Sequence, residues 1–172
     1  MVAIRCTKPL LAKLGGPTLS PVDTEPESTT RLGDWYVAPM NVGHHRLLLC
    51  TSDRSLLCAV VPAKDLPQFP ARLIRSVGWL LHDLGVAYDL IDRELGEMQV
   101  VRFAPTRSRS VLGSMNDFRE AVHSYFRSGR DTVELSALNR WLAHTPCGPL
   151  QYRLPEDVGP ALLRRAAKAL DV

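Results

Sequence analysis

The sequence is poor in most of the features by which a protein declares its chemistry. Of 172 residues only 6% are aromatic and 4 are cysteine, and 17 of the 21 basic residues are arginine against 4 lysines. Cys6, Cys50, Cys58 and Cys147 form no C-x-x-C and stand at no zinc-finger spacing from a histidine pair. That argues against a zinc module or a redox dithiol, so the thiols read as small core residues and no metal set is expected. No apolar run reaches the roughly 18 residues needed to span a bilayer. The segment Met1 to Cys6 lacks a signal peptide's apolar region and small-residue cleavage site. The expectation is a cytoplasmic protein with no membrane partner. Absent too are G-x-G-x-x-G, a P-loop, H-E-x-x-H and G-x-S-x-G, so no cofactor is indicated and the common NTPases, Rossmann enzymes, zincins and α/β-hydrolases are disfavoured. Scarce lysine and the lack of a basic, aromatic-interleaved run argue against nucleic acid as a partner.

What is present is ordinary: 45% hydrophobic residues, 23% charged and a net charge of +3. Such a chain can bury a core of its own, and residues 1–172 read as a single domain. Strands are expected over 2–7, 34–41, 45–52, 55–61 and 97–104. Helices are expected over 8–14, 71–84, 88–95, 110–127 and 133–143, with a last one starting between Pro155 and Pro160. Residues 15–31, rich in Gly, Pro, Ser and Thr, read as a flexible exposed loop. Leu47–Cys50 and Leu56–Val61 are unbroken apolar runs, the pattern of central strands buried on both faces. Early strands followed by late helices predict an α+β domain with an antiparallel or mixed sheet of about five strands and helices packed on it.

Two clusters carry the candidate chemistry. The first is Leu32-Gly33-Asp34-Trp35-Tyr36, a carboxylate beside two aromatics at the start of a strand. Aromatic faces attract cations and sugar C–H surfaces, and a carboxylate takes an ammonium or a hydroxyl. The bland alternative is that Asp34 caps a turn while Trp35 or Tyr36 fills the core. The second is Thr106-Arg107-Ser108-Arg109-Ser110 leading into Val111-Leu112-Gly113-Ser114-Met115-Asn116-Asp117. Here Ser108 or Ser110 can cap a helix whose free N–H groups, with Arg102, Arg107 and Arg109, favour an anion. Gly113 is costly inside a helix, which close packing or a ligand's approach would explain. A third, weaker stretch runs from Leu138-Asn139-Arg140-Trp141 to Pro146. His44-His45 sits after Gly43 in a predicted hairpin turn, and neighbouring strand residues point to opposite faces, so the pair suits one shared metal poorly.

These segments, together with Ile4-Arg5-Cys6-Thr7, Cys50-Thr51 and Asn139 with Thr145-Pro146, resemble a bacterial family of small proteins catalogued only as a domain of unknown function. The match runs in the family's order over nearly the whole chain, and Gly-Ser-Met-Asn-Asp is its most specific part. The resemblance implies that Asp34, Asn116 and Asp117 do more than cap turns, and it implies no particular reaction.

The reading that follows is a protein that binds or modifies a small molecule, with both clusters at one pocket. Asp34, Trp35, Tyr36, Ser114, Asn116 and Asp117 would hold a cationic, aminosugar-like ligand, and Arg107 and Arg109 an anionic group such as a donor phosphate. An aminoglycoside-resistance enzyme is its concrete form, with Asp34 or Asp117 as general base and His44 or His45 in reserve. The alternative is a regulatory, antitoxin-like module without catalysis that binds a protein partner, and it predicts an exposed apolar patch at Trp79 or Trp141.

Overall fold

A computed structural model describes residues 1–14, 27–127 and 134–168, with side chains to Arg165. The elements follow the predicted order: β1 (Val2–Cys6), α1 (Lys8–Lys13), β2 (Trp35–Val42), β3 (His45–Ser52), β4 (Cys58–Pro62), α2 (Phe69–Asp83), α3 (Tyr88–Glu97), β5 (Val101–Pro105), α4 (Arg109–Arg127), α5 (Leu135–Ala143) and α6 (Pro155–Lys168). The sheet is mixed and five-stranded, in the order β4-β3-β2-β1-β5. β1 lies parallel to both β2 and β5, and β2–β3–β4 is an antiparallel meander. The fold is α+β.

Strand alternation divides the core in two. Ile4, Trp35, Val37, Leu48, Cys50, Ala59 and Val61 face one way and meet Leu10 of α1, Phe69, Leu73, Val77 and Leu81 of α2, and Ile91 of α3. Tyr36, Ala38, Met40, Leu49, Cys58 and Val60 face the other way and meet Val111, Met115, Phe118 and Val122 of α4, with Leu138 and Leu142 of α5. Both sets of helical residues recur at three- and four-residue spacing, which is why the helices were legible. Pro70 falls in the first turn of α2, where its missing N–H costs nothing. Gly85, at φ +70°, stops the helix.

Two expectations are corrected. The run Leu56–Val61 is not a central strand: β4 begins only at Cys58 and forms the edge of the sheet. It is nonetheless buried, because α2 and α5 cover its two faces. Leu56 sits at φ +54°, a left-handed residue that ends the turn from β3 and delays the ladder. Of the expected mobile loop, 15–26 lies outside the described residues. The remainder is pinned: Thr29 N–H bonds the Met1 carbonyl at 2.9 Å, and the Glu94 carboxylate accepts the Arg31 and Leu32 N–H groups at 2.8 and 2.9 Å. No described helix is long and apolar enough to cross a membrane.

Candidate functional site

Asp34 is the hub of the first cluster. It stands one residue before β2 and is almost fully buried. A buried carboxylate must be paired and hydrogen-bonded, and this one draws its partners from three segments. Arg5 of β1 donates through Nε to Oδ2 and through a second nitrogen to the Pro105 carbonyl of β5 at 3.1 Å. Ser28 donates its hydroxyl to Oδ1. Arg107, between β5 and α4, reaches Oδ2 at 3.3 Å. The backbone of Asp34 is bracketed by Asp53 in the β3–β4 turn: its N–H bonds Asp53 Oδ1 at 3.0 Å, and its carbonyl accepts the Asp53 N–H at 2.9 Å. Gly33 makes that bracket, because it turns the chain at φ +82° and any Cβ there would collide with the Asp53 carboxylate. Burial, and then the charge of Asp34, pushes the Asp53 carboxyl above its ordinary range.

The second cluster docks directly on the first. Tyr36 is fully buried, and its hydroxyl accepts the backbone N–H of Ser108 at 3.1 Å. Ser108 Oγ in turn accepts the Val111 N–H at 3.3 Å, so it is the helix cap, as its residue type suggests. Arg107 and Arg109 are exposed above this joint. The joint also has a topological address. β1 and β5 are parallel neighbours, and their carboxyl ends lead to α1 on one face and α4 on the other. Crevices at such switch points are the usual ligand sites of parallel sheets.

The rest of the expected pocket is dispersed. Trp35 and Tyr36 point to opposite faces and are 0% exposed, so neither presents a ring to a ligand. The Trp35 indole N–H is buried without a partner among the described residues. Asn116 and Asp117 are exposed on α4, Asp117 some 12 Å along the helix from Arg109, and Asn116 accepts from Arg119 at 3.2 Å. Ser114 faces inward and is buried. Gly113 is exposed, and a Cβ on it would meet nothing; close packing does not account for it. His44 and His45 lie at the other end of β2, roughly 25 Å from Asp34. The turn at Gly43 takes His44 out of strand alternation, and the two rings come to 4.0 Å, beside His123 and Phe126.

Sequence reasoning missed the partners Arg5, Ser28 and Asp53. A charged residue in the middle of the buried strand Val2–Cys6 was the available signal for Arg5. All four cysteines are buried free thiols. Burial raises the Cys6 and Cys58 thiols to about 12 and Cys147 to about 11, and pushes Cys50 well above the ordinary value. No group of three or more His, Cys, Asp or Glu side chains among the described residues is arranged to hold a metal ion.

A family model described as a domain of unknown function (DUF6933) matches residues 3–158. The chain belongs to that family. No curated protein and no solved structure matches it.

Proposed function

We propose that this family member binds a small molecule through an anionic group, phosphate or carboxylate, at the mouth where β1 leads to α1 and β5 leads to α4. The observation that carries the reading is Arg107. Its side chain is 57% exposed yet touches the buried Asp34 carboxylate, so one guanidinium links the motif core to the surface. Asp34 orients it, and Arg109 adds a second exposed cation beside it. This is the anionic half of the ligand pattern drawn from the sequence. The cationic, aminosugar half has less support, because Asp34, Trp35 and Tyr36 spend their polar and aromatic groups inside the protein.

Calorimetric titration with inorganic phosphate, nucleotides and an aminoglycoside panel tests the reading. Saturable anion binding that weakens at least tenfold in Arg107→Ala is the expected result. Aminoglycoside binding that survives Arg107→Ala, with no heat from any anion, would reverse it. The alternative of a protein-interaction module draws on another face, where Trp79 and Tyr88 are 64% and 69% exposed on either side of His82. A stable complex retained through gel filtration, broken by Trp79→Ala, would favour it.

A further inference from the structure

A groove runs beside the edge strand β4, between α2 and α5, away from the mouth. It encloses about 260 Å³ and is lined by Val60, Pro62, Arg72, Arg75, Trp79 and Asn139, among others. The three α2 side chains stand at i, i+3 and i+7, one stripe of the helix. We propose that this groove is a second ligand site, for a small carboxylate with a flat apolar body.

Arg72 supplies the first argument. One terminal nitrogen of its guanidinium donates to the Lys64 carbonyl and, at 2.9 Å, to the Asp65 carbonyl. The side chain is therefore held in place. Fixed in this way, Arg72 lines the groove as a positioned cation, for which a carboxylate is the natural complement. Arg75, exposed one turn further along, adds charge of the same sign. Asp83, the acidic residue that lines the groove, is three turns from Arg72, roughly 16 Å along α2, too far to neutralise that end.

Trp79 supplies the body of the site. It is 64% exposed at the rim, above the apolar wall of Val60, Val61, Pro62 and Leu135. A flat hydrophobic group lying between ring and wall would cover both.

The polar wall favours a small molecule over a peptide strand. Asn139 Oδ1 already accepts the Val60 N–H at 2.7 Å, and Asn139 Nδ2 donates to Ser76 Oγ at 3.1 Å. The edge donor that an added strand would use is taken. The volume lies just under the usual range of ligand pockets, about 300–1,000 Å³, and so suits a monocyclic acid rather than a nucleotide.

The test titrates the full chain with phenylacetate and with neutral phenylacetamide, followed by calorimetry and by tryptophan fluorescence. Saturable binding of the acid is expected, at least tenfold tighter than the amide. Trp79→Ala, a surface change that leaves the core intact, is expected to weaken the acid tenfold or more. Arg72→Gln is expected to do the same, checked for folding by circular dichroism; if it unfolds, Trp79→Ala decides. Excess inorganic phosphate is expected not to compete. Absence of saturable binding, equal affinity for acid and amide, or indifference to Trp79→Ala overturns the proposal. Displacement by phosphate overturns it too, by tracing the signal to the mouth. A failure at the groove leaves the phosphate titration, and the reading of the mouth, standing.

Discussion

Replacing Asp34 by alanine should destabilise the protein far more than removing a surface charge. The Arg5 and Asp34 side chains are 3% and 4% exposed. Both have paid the desolvation of a buried ion, and their mutual attraction offsets it only while both are present. Truncating Asp34 leaves Arg5 with the Pro105 carbonyl but without its carboxylate, and frees Ser28 from its acceptor. Breaking a buried pair from one side costs about 3–5 kcal/mol. Losing the contact to exposed Arg107 adds at most about 1 kcal/mol. Against a usual domain stability of about 5–15 kcal/mol, Asp34→Ala should remove about a fifth or more of the total and lower Tm by about 10 °C. Urea unfolding followed by circular dichroism measures this. The second arm replaces the whole pair, Arg5→Met with Asp34→Leu, and should recover most of the loss, because an apolar pair of similar volume leaves no stranded charge. A cost below about 1 kcal/mol for Asp34→Ala would refute the reasoning, since it would mean that water already solvates the pair. A fully stable Asp34→Asn that had lost ligand binding would return Asp34 to the ligand-facing role its sequence setting suggested.

Gly113→Ala should stabilise the fold by about 1 kcal/mol, since the added methyl meets open space in a long helix; a lower melting temperature would show that something approaches that face. Gly33→Ala should be strongly destabilising, through both its positive φ and the Asp53 carboxylate, and a variant melting within a degree or so of wild type would contradict the bracket. The raised Asp53 carboxyl sets a pH dependence. A carboxyl whose folded value lies above its unfolded value, about 3.9, weakens the fold as pH rises through the folded value, and the penalty is absent below the unfolded one. Asp53→Asn, which keeps the oxygen that accepts the Asp34 N–H, should therefore gain stability relative to wild type at pH 7 more than at pH 4; an equal gain at both would remove the electrostatic explanation. The buried thiols should resist iodoacetamide at pH 8 in native buffer and all react in urea. Rapid labelling of Cys147 in the folded protein would contradict its burial.

The element order was legible because two periodicities alternate cleanly along the chain: Leu47–Cys50 reads as strand, and Leu73, Val77, Leu80 and Leu81 as one helical stripe. Strand position in the sheet was not legible. β4 looks central because helices cover both of its faces, and periodicity reports burial, not neighbours. The same limit applies to the site. That Arg107 and Asp34 touch is a contact over 73 residues, and Arg5 finds Asp34 over 29; only the closing of β1 between β2 and β5 creates either. Asp34, Trp35 and Tyr36 read as one unit in the sequence, but alternation sends Trp35 and Tyr36 to opposite faces, so no shared aromatic surface forms. Gly113 drew attention for its helical cost, and its open surroundings rule out packing as the reason.

The two bonds of Asn139 carry a consequence for how this protein can fail. An apolar edge strand with free N–H groups is a template on which another chain's strand can grow. Here the Asn139 amide occupies that position as a plug, and α5 carries the plug. The protection is as strong as the attachment of that nine-residue helix and no stronger. Opening α5 alone, without global unfolding, would uncover Cys58-Ala59-Val60-Val61, a low-charge segment of high strand propensity. Self-association from a nearly native state, rather than from the unfolded chain, is the hazard this edge builds in.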